Sequence, residues 1–304
     1  MYLEYDTFGS PKDPPLLLVM GLATQMLAWK ESFCEMLAAK GFYVIRYDNR
    51  DIGLSKHFDE LGPPPLLRRI AFNMLFGRFC KSASPYTLND MSLDAVHLLD
   101  ALKIPAAHVC GASMGGMIGQ TMAISHPDRV LSLCSIMSTT GSRNLPEGDL
   151  AVRLGIMKKP ENDSHEARVK DGMRKIRMIA APGQVGDDLE EYVDKVMKRS
   201  YHPVGAMRQI NAIMVQADRT EALREIPMPS LIVHGRGDKL VKLACGEATA
   251  AAIGGDVRLL IVEGMGHVIL NKDYKLVTSA ILENSKRPGR RGVAAEDVGV
   301  SVQN

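Results

Sequence analysis

The chain has 304 residues, enough for one large α/β domain with an insertion, although length alone also allows two domains. Its 37 basic and 35 acidic side chains leave a formal net charge of +2, which gives no electrostatic footprint for nucleic acid. The five cysteines follow neither zinc-ligand nor disulfide-framework spacing, and we recognise no leader peptide or membrane-spanning run. We therefore expect a cytoplasmic protein.

In the first half of the chain, apolar runs alternate with stretches of helical periodicity. The predicted elements are a strand at 1–8, a strand at 15–20, a helix at 27–40 and a strand at 42–48. Gly41 supplies the left-handed residue that commonly follows the end of a helix. Thr87 and Asp90 form a pattern close to a capping box and predict a helix that continues to about Lys103.

The same alternation continues in the second half. Strands are predicted at 107–110, 130–137, 229–234 and 256–262, with a final helix at 268–284. Such alternation favours a parallel sheet that is covered by helices on both faces. Residues 143–207 are polar and helical in pattern, whereas residues 286–304 lack periodicity and are expected to form a flexible tail.

A serine stands at the predicted turn after the strand at 107–110, in the run Gly111-Ala112-Ser113-Met114-Gly115. Small neighbours allow the sharp, strained turn that exposes a serine hydroxyl at the edge of a sheet. The N-terminus of the following helix favours the negative charge that develops when such a hydroxyl attacks a carbonyl. By itself, the pentapeptide is equally compatible with an ordinary turn before a helix.

Two further groups decide between these alternatives. Asp238 follows the strand at 229–234 in a glycine-rich loop, and His267 follows the strand at 256–262 in another. The carboxyl ends of parallel strands meet at the edge of the sheet where ligands bind. We therefore interpret His267 as the base that takes the proton of Ser113 and Asp238 as the group that orients the imidazole. Taken singly, each has an alternative: His267 is a surface-loop histidine and Asp238 is a turn former.

The order Ser, Asp, His and the three motifs resemble the α/β-hydrolases, and most of all bacterial carboxylesterases of the aclacinomycin methylesterase-like group. The resemblance runs from about Leu16 to Ile281. It implies an α/β-hydrolase fold, with a mostly parallel central sheet, helices on both faces and a helical lid insertion. Because a triad and two N–H donors suffice for acyl transfer, we predict no metal and no cofactor.

The resemblance also implies two backbone N–H donors for an oxyanion. One is the N–H of Met114, directly after the nucleophile, and we assign the other to Leu22 in the loop after the strand at 15–20. Many relatives carry His-Gly in that loop, where this chain has Met20-Gly21. The donor is a main-chain group, so the loss of the histidine side chain need not impair it.

The resemblance implies a core at 1–142, a helical lid at 143–207, the rest of the core at 208–285 and a tail at 286–304. A packed helical excursion without a role toward the substrate is the alternative for 143–207. Residues 48–55 resemble the family's Asp-x-Arg-Gly-x-Gly-x-Ser loop, with Asp51 in place of a glycine. Residues 57–85 form an unusually long insertion whose stretch 66–80 is apolar with interspersed arginines. We expect that stretch to pack against the lid or a second subunit, with contact to a membrane as the alternative.

Apolar residues near the expected site indicate a pliable substrate pocket formed by Met20, Gly21, Met26 and Met265, although several of these methionines fit a core equally well. The expected reaction is hydrolysis of small-molecule carboxylic esters with short to medium acyl chains, through an acyl-enzyme on Ser113. Cofactor-free haloperoxidase-like, C–C hydrolase and acyltransferase activities use the same triad. A non-catalytic, ligand-binding protein on the same scaffold is the alternative from a different class.

Overall fold

The computed structural model describes residues 1–64, 84–183, 185–186 and 188–289. Seven strands form one sheet in the order β1-β3-β2-β4-β5-β6-β7. Neighbouring strands in this sheet are parallel except for β1 and β3, which pair antiparallel. The strands are β1 (Tyr5–Phe8), β2 (Pro15–Val19), β3 (Tyr43–Tyr47), β4 (Ala107–Ala112), β5 (Val130–Ile136), β6 (Ser230–Gly235) and β7 (Val257–Val262).

Helices cover both faces of the sheet. Those of the described residues are α1 (Glu31–Ala38), α2 (Leu88–Ala101), α3 (Met114–Ser125), α4 (Leu150–Met157), α5 (His165–Ile179), α6 (Leu189–Arg199), α7 (Pro203–Val215), α8 (Leu243–Ile253) and α9 (Tyr274–Ser285). Apolar side chains of α1 and α9 pack on one face, and those of α2, α3 and α8 on the other. This architecture confirms the predicted fold class.

Strand β2 shows why the sheet needs both layers. Leu16 and Leu18 belong to the core under α1 and α9, whereas Leu17 and Val19 belong to the core under α2 and α3. Successive side chains of a strand point to opposite faces, so a continuous apolar run buries both faces at once.

The structure refines several predicted boundaries. The helix expected at 27–40 is a short 3₁₀ turn at Met26–Ala28 followed by α1, and Gly41 has the left-handed φ of 89° expected after a helix end. The capping box is present: Thr87 Oγ1 accepts the N–H of Asp90, and the carboxylate of Asp90 accepts the N–H of Thr87. The last helix begins later than predicted because residues 263–270 form a loop.

The described part of the segment between β5 and β6 contains four α-helices, α4 to α7, and a short 3₁₀ turn at Ala222–Glu225. Helix α7 continues to Val215, past the boundary at 207 that the sequence suggested. The stretch 66–80 lies outside the described residues, as does the tail from residue 290 onward, so their predicted roles stay predictions. Within the described part of the chain, no helix combines the length and the apolar character needed to cross a membrane.

A buried ion pair joins the loop after β3 to α7. Asp51 adopts a left-handed φ of 69°, which explains why the family pattern has a glycine at this place. Here the aspartate gains compensating contacts: its two carboxylate oxygens accept hydrogen bonds from Arg208 Nε and Nη2 at 2.7 and 2.6 Å. Both side chains are fully buried, and the N–H of Phe58 donates to the same carboxylate at 2.8 Å.

We expect Arg208→Met to lower the free energy of unfolding by about 3–5 kcal/mol, because it leaves the Asp51 carboxylate buried without its partner. The double variant Asp51→Gly/Arg208→Met should recover most of this loss, since it removes the buried charge and the left-handed strain together. Urea unfolding at neutral pH measures the free energy of unfolding of the native protein, of Arg208→Met and of the double variant. A double variant no more stable than Arg208→Met would contradict this account.

The same pair predicts a pH dependence. Burial raises the pKa of Asp51, but the hydrogen bonds that its carboxylate accepts, chiefly from Arg208 and the Phe58 N–H, together with the charge of Arg208 outweigh this effect and hold that pKa below its usual value. The pair therefore contributes its full stability above the ordinary aspartate pKa, and the contribution is lost as the pH falls through the lowered pKa. The stability difference between the native protein and Arg208→Met should accordingly narrow in acid.

Candidate active site

Ser113 occupies a sharp turn between β4 and α3. Its φ of 56° is left-handed, a strained conformation for a residue with a side chain. The Ser113 N–H donates to the Ile136 carbonyl at 2.9 Å, and its own carbonyl accepts from the Ser138 hydroxyl at 2.8 Å. A Cβ on Gly115 would lie 2.1 Å from the Val19 carbonyl oxygen, so only glycine allows this close approach of α3 to β2.

The structure brings Ser113, His267 and Asp238 into one chain of hydrogen bonds. His267 Nε2 lies 2.9 Å from Ser113 Oγ, and His267 Nδ1 lies 2.6 Å from Asp238 Oδ2. The loops that follow β6 and β7 carry the aspartate and the histidine, as the sequence indicated. All three side chains therefore converge at the carboxyl edge of the sheet, although they lie 154 and 29 residues apart along the chain.

The Asp238 carboxylate is buried and held from two sides. Its Oδ1 accepts the N–H groups of Leu240 and Val241 at 2.8 and 2.9 Å, which leaves Oδ2 for the imidazole. His234 Nε2 lies 3.6 Å from the same oxygen but 2.9 Å from the Val241 carbonyl, to which it donates. Burial lowers the pKa of His234, so this neighbour is a neutral core residue and does not compete for the carboxylate.

Another histidine of the sheet, His108, is also structural. It lies in β4 with its Nδ1 2.8 Å from the Ser132 hydroxyl, and burial lowers its pKa to about 4. A histidine that stays neutral and hydrogen-bonded in the core has no access to a substrate proton. This agrees with the interpretation drawn from its place within a strand.

Two side chains at the start of the long insertion, His57 and Asp59, and His202 directly before α7 could supply metal ligands. The two imidazoles stack in parallel, with ring centroids 3.9 Å apart and an angle of 3° between their planes. An ion in the plane of one ring would lie outside the plane of the other. His202 Nδ1 and Nε2 lie 2.9 and 2.8 Å from the Asp51 carbonyl and an Asp59 carboxylate oxygen, so both ring nitrogens already have hydrogen-bond partners within the protein.

The loop after β2 passes directly beside the serine. A Cβ placed on Gly21 would lie 3.1 Å from Ser113 Cβ. Leu22 is the next residue after Gly21, so its backbone begins beside the nucleophile. The Leu22 and Met114 N–H groups donate no hydrogen bond within the described part of the chain. Both are therefore free to bind a substrate oxygen; Met114 is the first residue of α3, where helix N–H groups lack an internal partner.

The methionines predicted to line the pocket lie among core side chains. Met20 and Met265 belong to the apolar cluster that packs under α1 and α9, and Met265 is fully buried. Met26 is buried as well, and its N–H donates to Asp48 at 2.7 Å. Their role in a substrate pocket stays a prediction.

A groove of about 570 Å³ borders the Asp238 loop. It is lined by residues 236–239 and 242–244 together with Pro146 and Asp149. Neither Ser113 nor His267 lines it, so this groove does not contain the nucleophile.

The helical insertion touches the histidine loop. The N–H of His267 donates to the Ile179 carbonyl at the end of α5, at 2.8 Å. A Cβ on Gly266 would lie only 2.6 Å from the Ala181 nitrogen. The insertion thus packs against the backbone that carries the imidazole; its role as a lid stays a prediction.

Two glutamines that the sequence analysis did not single out hold the loop after β2. Gln209 of α7 accepts the N–H of Ala23 at 2.9 Å, and Gln25 donates to the carbonyls of Val196 and Ser200 at the end of α6, each at 2.9 Å. Both side chains are buried. No motif marks a lone amide on a helix or in a loop, so only the tertiary structure identifies these contacts.

The close contact at Gly266 is testable. We expect Gly266→Ala to destabilise the protein by about 1–3 kcal/mol, because the new methyl must displace either the insertion or the histidine loop. Gly237→Ala is the matched control, since its Cβ would meet nothing nearer than the Met265 carbonyl oxygen at 3.3 Å. Thermal unfolding of the two variants measures the difference; equal stability would show that 179–181 does not press on this loop.

These features match a known family. A family model described as the alpha/beta hydrolase fold matches residues 14–273, most of the chain. The protein therefore belongs to the α/β-hydrolase family.

Two relatives show which enzymes the chain resembles in sequence. It is 38% identical over 125 residues to a rhodomycin D methylesterase from Streptomyces sp. strain C5, a match that covers 41% of this chain but only 35% of that enzyme. It is 26% identical over 255 residues to a 3-oxoadipate enol-lactonase from Acinetobacter baylyi, covering 81% of this chain and 79% of the relative. Both of these relatives are hydrolases.

Among solved structures, the enol-lactonase from Burkholderia xenovorans LB400 superposes with a TM-score of 0.71 at 22% identity, covering 94% of this chain and 96% of the other. This likeness supports the fold. Together with the family match, it shows that the chain is an α/β-hydrolase with esterase-like bacterial relatives.

Proposed function

We propose that this protein is a serine hydrolase that cleaves carboxylic esters through an acyl-enzyme on Ser113. The observation that carries the proposal is the unbroken chain of hydrogen bonds from Ser113 Oγ through His267 to the buried carboxylate of Asp238. A serine hydroxyl is a weak nucleophile unless a base removes its proton during attack. Here an imidazole stands within hydrogen-bond reach of the hydroxyl, and a carboxylate orients that imidazole from its other side.

The reaction follows from this geometry. Ser113 Oγ attacks the ester carbonyl and passes its proton to His267 Nε2, while Asp238 stabilises the imidazolium that forms. The carbonyl π electrons move to the oxygen, and the N–H groups of Leu22 and Met114 bind this oxyanion. The carbonyl then re-forms, the bond between the carbonyl carbon and the alcohol oxygen breaks, and His267 gives its proton to the leaving alcohol. Water repeats the sequence on the acyl-enzyme and releases the acid.

The substrate class rests on the relatives and on the lid contact. A methylesterase and an enol-lactonase are among the similar proteins, and both names describe an ester that is opened at its carbonyl. The insertion presses on the histidine loop beside the serine, which favours a small ester held under a cover. We therefore propose small-molecule esters with short to medium acyl chains, and the steps above use only groups of the chain itself.

Ser113 should be labelled by an organophosphate. We expect one adduct, mapped to Ser113 by mass spectrometry of the digested protein, with loss of p-nitrophenyl ester hydrolysis in step with labelling. Ser113→Ala should lose several orders of magnitude in kcat, since loss of one triad member disables the rest. Full activity in Ser113→Ala, or an adduct on another residue, would refute the proposal.

Asp238→Asn should keep the fold but lower kcat by about 10⁴-fold, because an amide favours the wrong imidazole tautomer. Glu263→Gln is the matched control, since Glu263 belongs to the same histidine loop but is exposed and pairs with Arg236. We expect that control to retain its activity. If Glu263→Gln lost activity while Asp238→Asn did not, the acid would be misassigned.

A further inference from the structure

The amide of Gln209 bridges the two loops that lie beside the nucleophile. Its Oε1 accepts the N–H of Ala23, and its Nε2 donates to the Arg50 carbonyl, both at 2.9 Å. The side chain is fully buried. Both polar atoms of the amide are thus used, and one of them binds the backbone one residue beyond Leu22.

The peptide group between Leu22 and Ala23 is held at both of its ends. Gln209 binds its N–H, and the Thr24 hydroxyl donates to its carbonyl, the Leu22 oxygen, at 2.8 Å. A peptide group is planar, so two such bonds fix its orientation. The Leu22 N–H belongs to the peptide group directly before this fixed plane. Only the φ and ψ rotations of Leu22 set its orientation relative to that plane.

This hold acts against a local strain. Ala23 has a left-handed φ of 56°, although its side chain is exposed. A residue with a Cβ pays about 1–2 kcal/mol for that conformation. No apolar packing of an exposed methyl can offset the strain, so the hydrogen bond from the peptide N–H to Gln209 is the compensating interaction.

The helix that carries Gln209 is itself anchored. The neighbouring residue, Arg208, forms the buried pair with Asp51, and the first turn of α7 packs against the same loop: a Cβ on Gly205 would lie 2.2 Å from the Asp51 carbonyl oxygen. The amide therefore projects from a fixed base. It does not belong to a surface that could adjust freely when the loop moves.

From these contacts we infer that Gln209 is a positioning residue for the oxyanion site: it holds the strained Leu22–Ala23 peptide so that the Leu22 N–H faces the substrate oxygen. The inference rests on the proposed serine-hydrolase function. It places a determinant of the rate on a helix of the segment between β5 and β6, outside the strand-end loops that carry the triad. The Arg50 carbonyl, bound by the other end of the amide, keeps the side chain from rotating.

The main test compares Gln209→Met with the native enzyme. Methionine has nearly the same shape but neither accepts nor donates the two hydrogen bonds. Acylation and deacylation both pass through an oxyanion, so we expect kcat for a short p-nitrophenyl ester to fall about 10- to 100-fold with KM nearly unchanged. The pH dependence of kcat/KM should stay as in the native enzyme, because the triad is untouched.

A trifluoromethyl ketone isolates the oxyanion step. Ser113 Oγ adds to its carbonyl carbon, the proton passes to His267, and the carbonyl π electrons form an oxyanion that is never released as product. Gln209→Met should lower the affinity of the enzyme for the ketone by the same factor by which it lowers kcat. Ala23→Gly/Gln209→Met should recover part of both losses, since glycine adopts the left-handed conformation without strain.

Gln216→Met is the matched control. It removes an amide directly after the end of the same helix, and that amide accepts a hydrogen bond from Arg219 instead of contacting the loop after β2. It should leave the affinity for the ketone unchanged. A folded Gln209→Met with native kcat and native ketone affinity would overturn the inference, as would a loss confined to KM.

If Gln209→Met does not fold, amide hydrogen exchange on the native protein tests whether Gln209 holds the loop after β2. The Ala23 N–H should be protected in the free protein despite its exposed side chain, and the Leu22 N–H should become protected only in the ketone adduct. Rapid exchange of the Ala23 N–H would refute the inference. Failure of the proposed function looks different: the ketone would then not bind the native enzyme at all.

Discussion

The left-handed turn at Ser113 is the constraint on which the rest of the site depends. It directs the hydroxyl away from the sheet and starts α3 immediately afterwards, so that the N–H of Met114 lies next to the nucleophile. The turn requires close contact between backbone segments on its two sides. Gly111 and Gly115 allow this contact because neither has a Cβ. A Cβ on Gly111 would lie 2.1 Å from the Gly115 carbonyl oxygen. The glycines that let α3 pack on β2 therefore also form the turn that carries the nucleophile.

Strain recurs around this turn. Ala23, Asp51 and Ser113 all have positive φ without being glycine, and each lies in a loop at the carboxyl edge of the sheet. Each is also held by a specific partner: Gln209 binds Ala23, Arg208 binds Asp51, and the backbone of β5 binds Ser113. Residues in such conformations persist only where the surroundings over-determine them.

Two of those three partners come from α7. The segment between β5 and β6 therefore supports the loops that surround the serine. Its helix α5 ends on the backbone of His267, and α7 holds the loops on the opposite side of the nucleophile. In this protein the insertion and the edge of the sheet form one hydrogen-bonded unit. Rigid support of this kind gives catalytic groups the fixed geometry that electrostatic stabilisation requires.

The sequence by itself determined the sheet, the order of its parallel strands along the chain and the three strand-end loops that carry Ser113, Asp238 and His267. Those features are local: apolar runs, glycine-rich turns and a serine between small residues report their structure within a few positions. It also marked Asp51 as a departure from the family pattern. What it could not report was why an aspartate is tolerated there.

Only the tertiary structure decided how the loops are held. Arg208 lies 157 residues from Asp51, and Gln209 lies 186 residues from Ala23. Neither residue belongs to a motif, because a buried arginine or glutamine looks in sequence like any polar residue of a helix. Burial of Met20 and Met265 in the apolar core is likewise a tertiary fact, and their role in a substrate pocket stays a prediction. A polar side chain acquires its role from the partner that folding brings to it, and distance along the chain hides that partner.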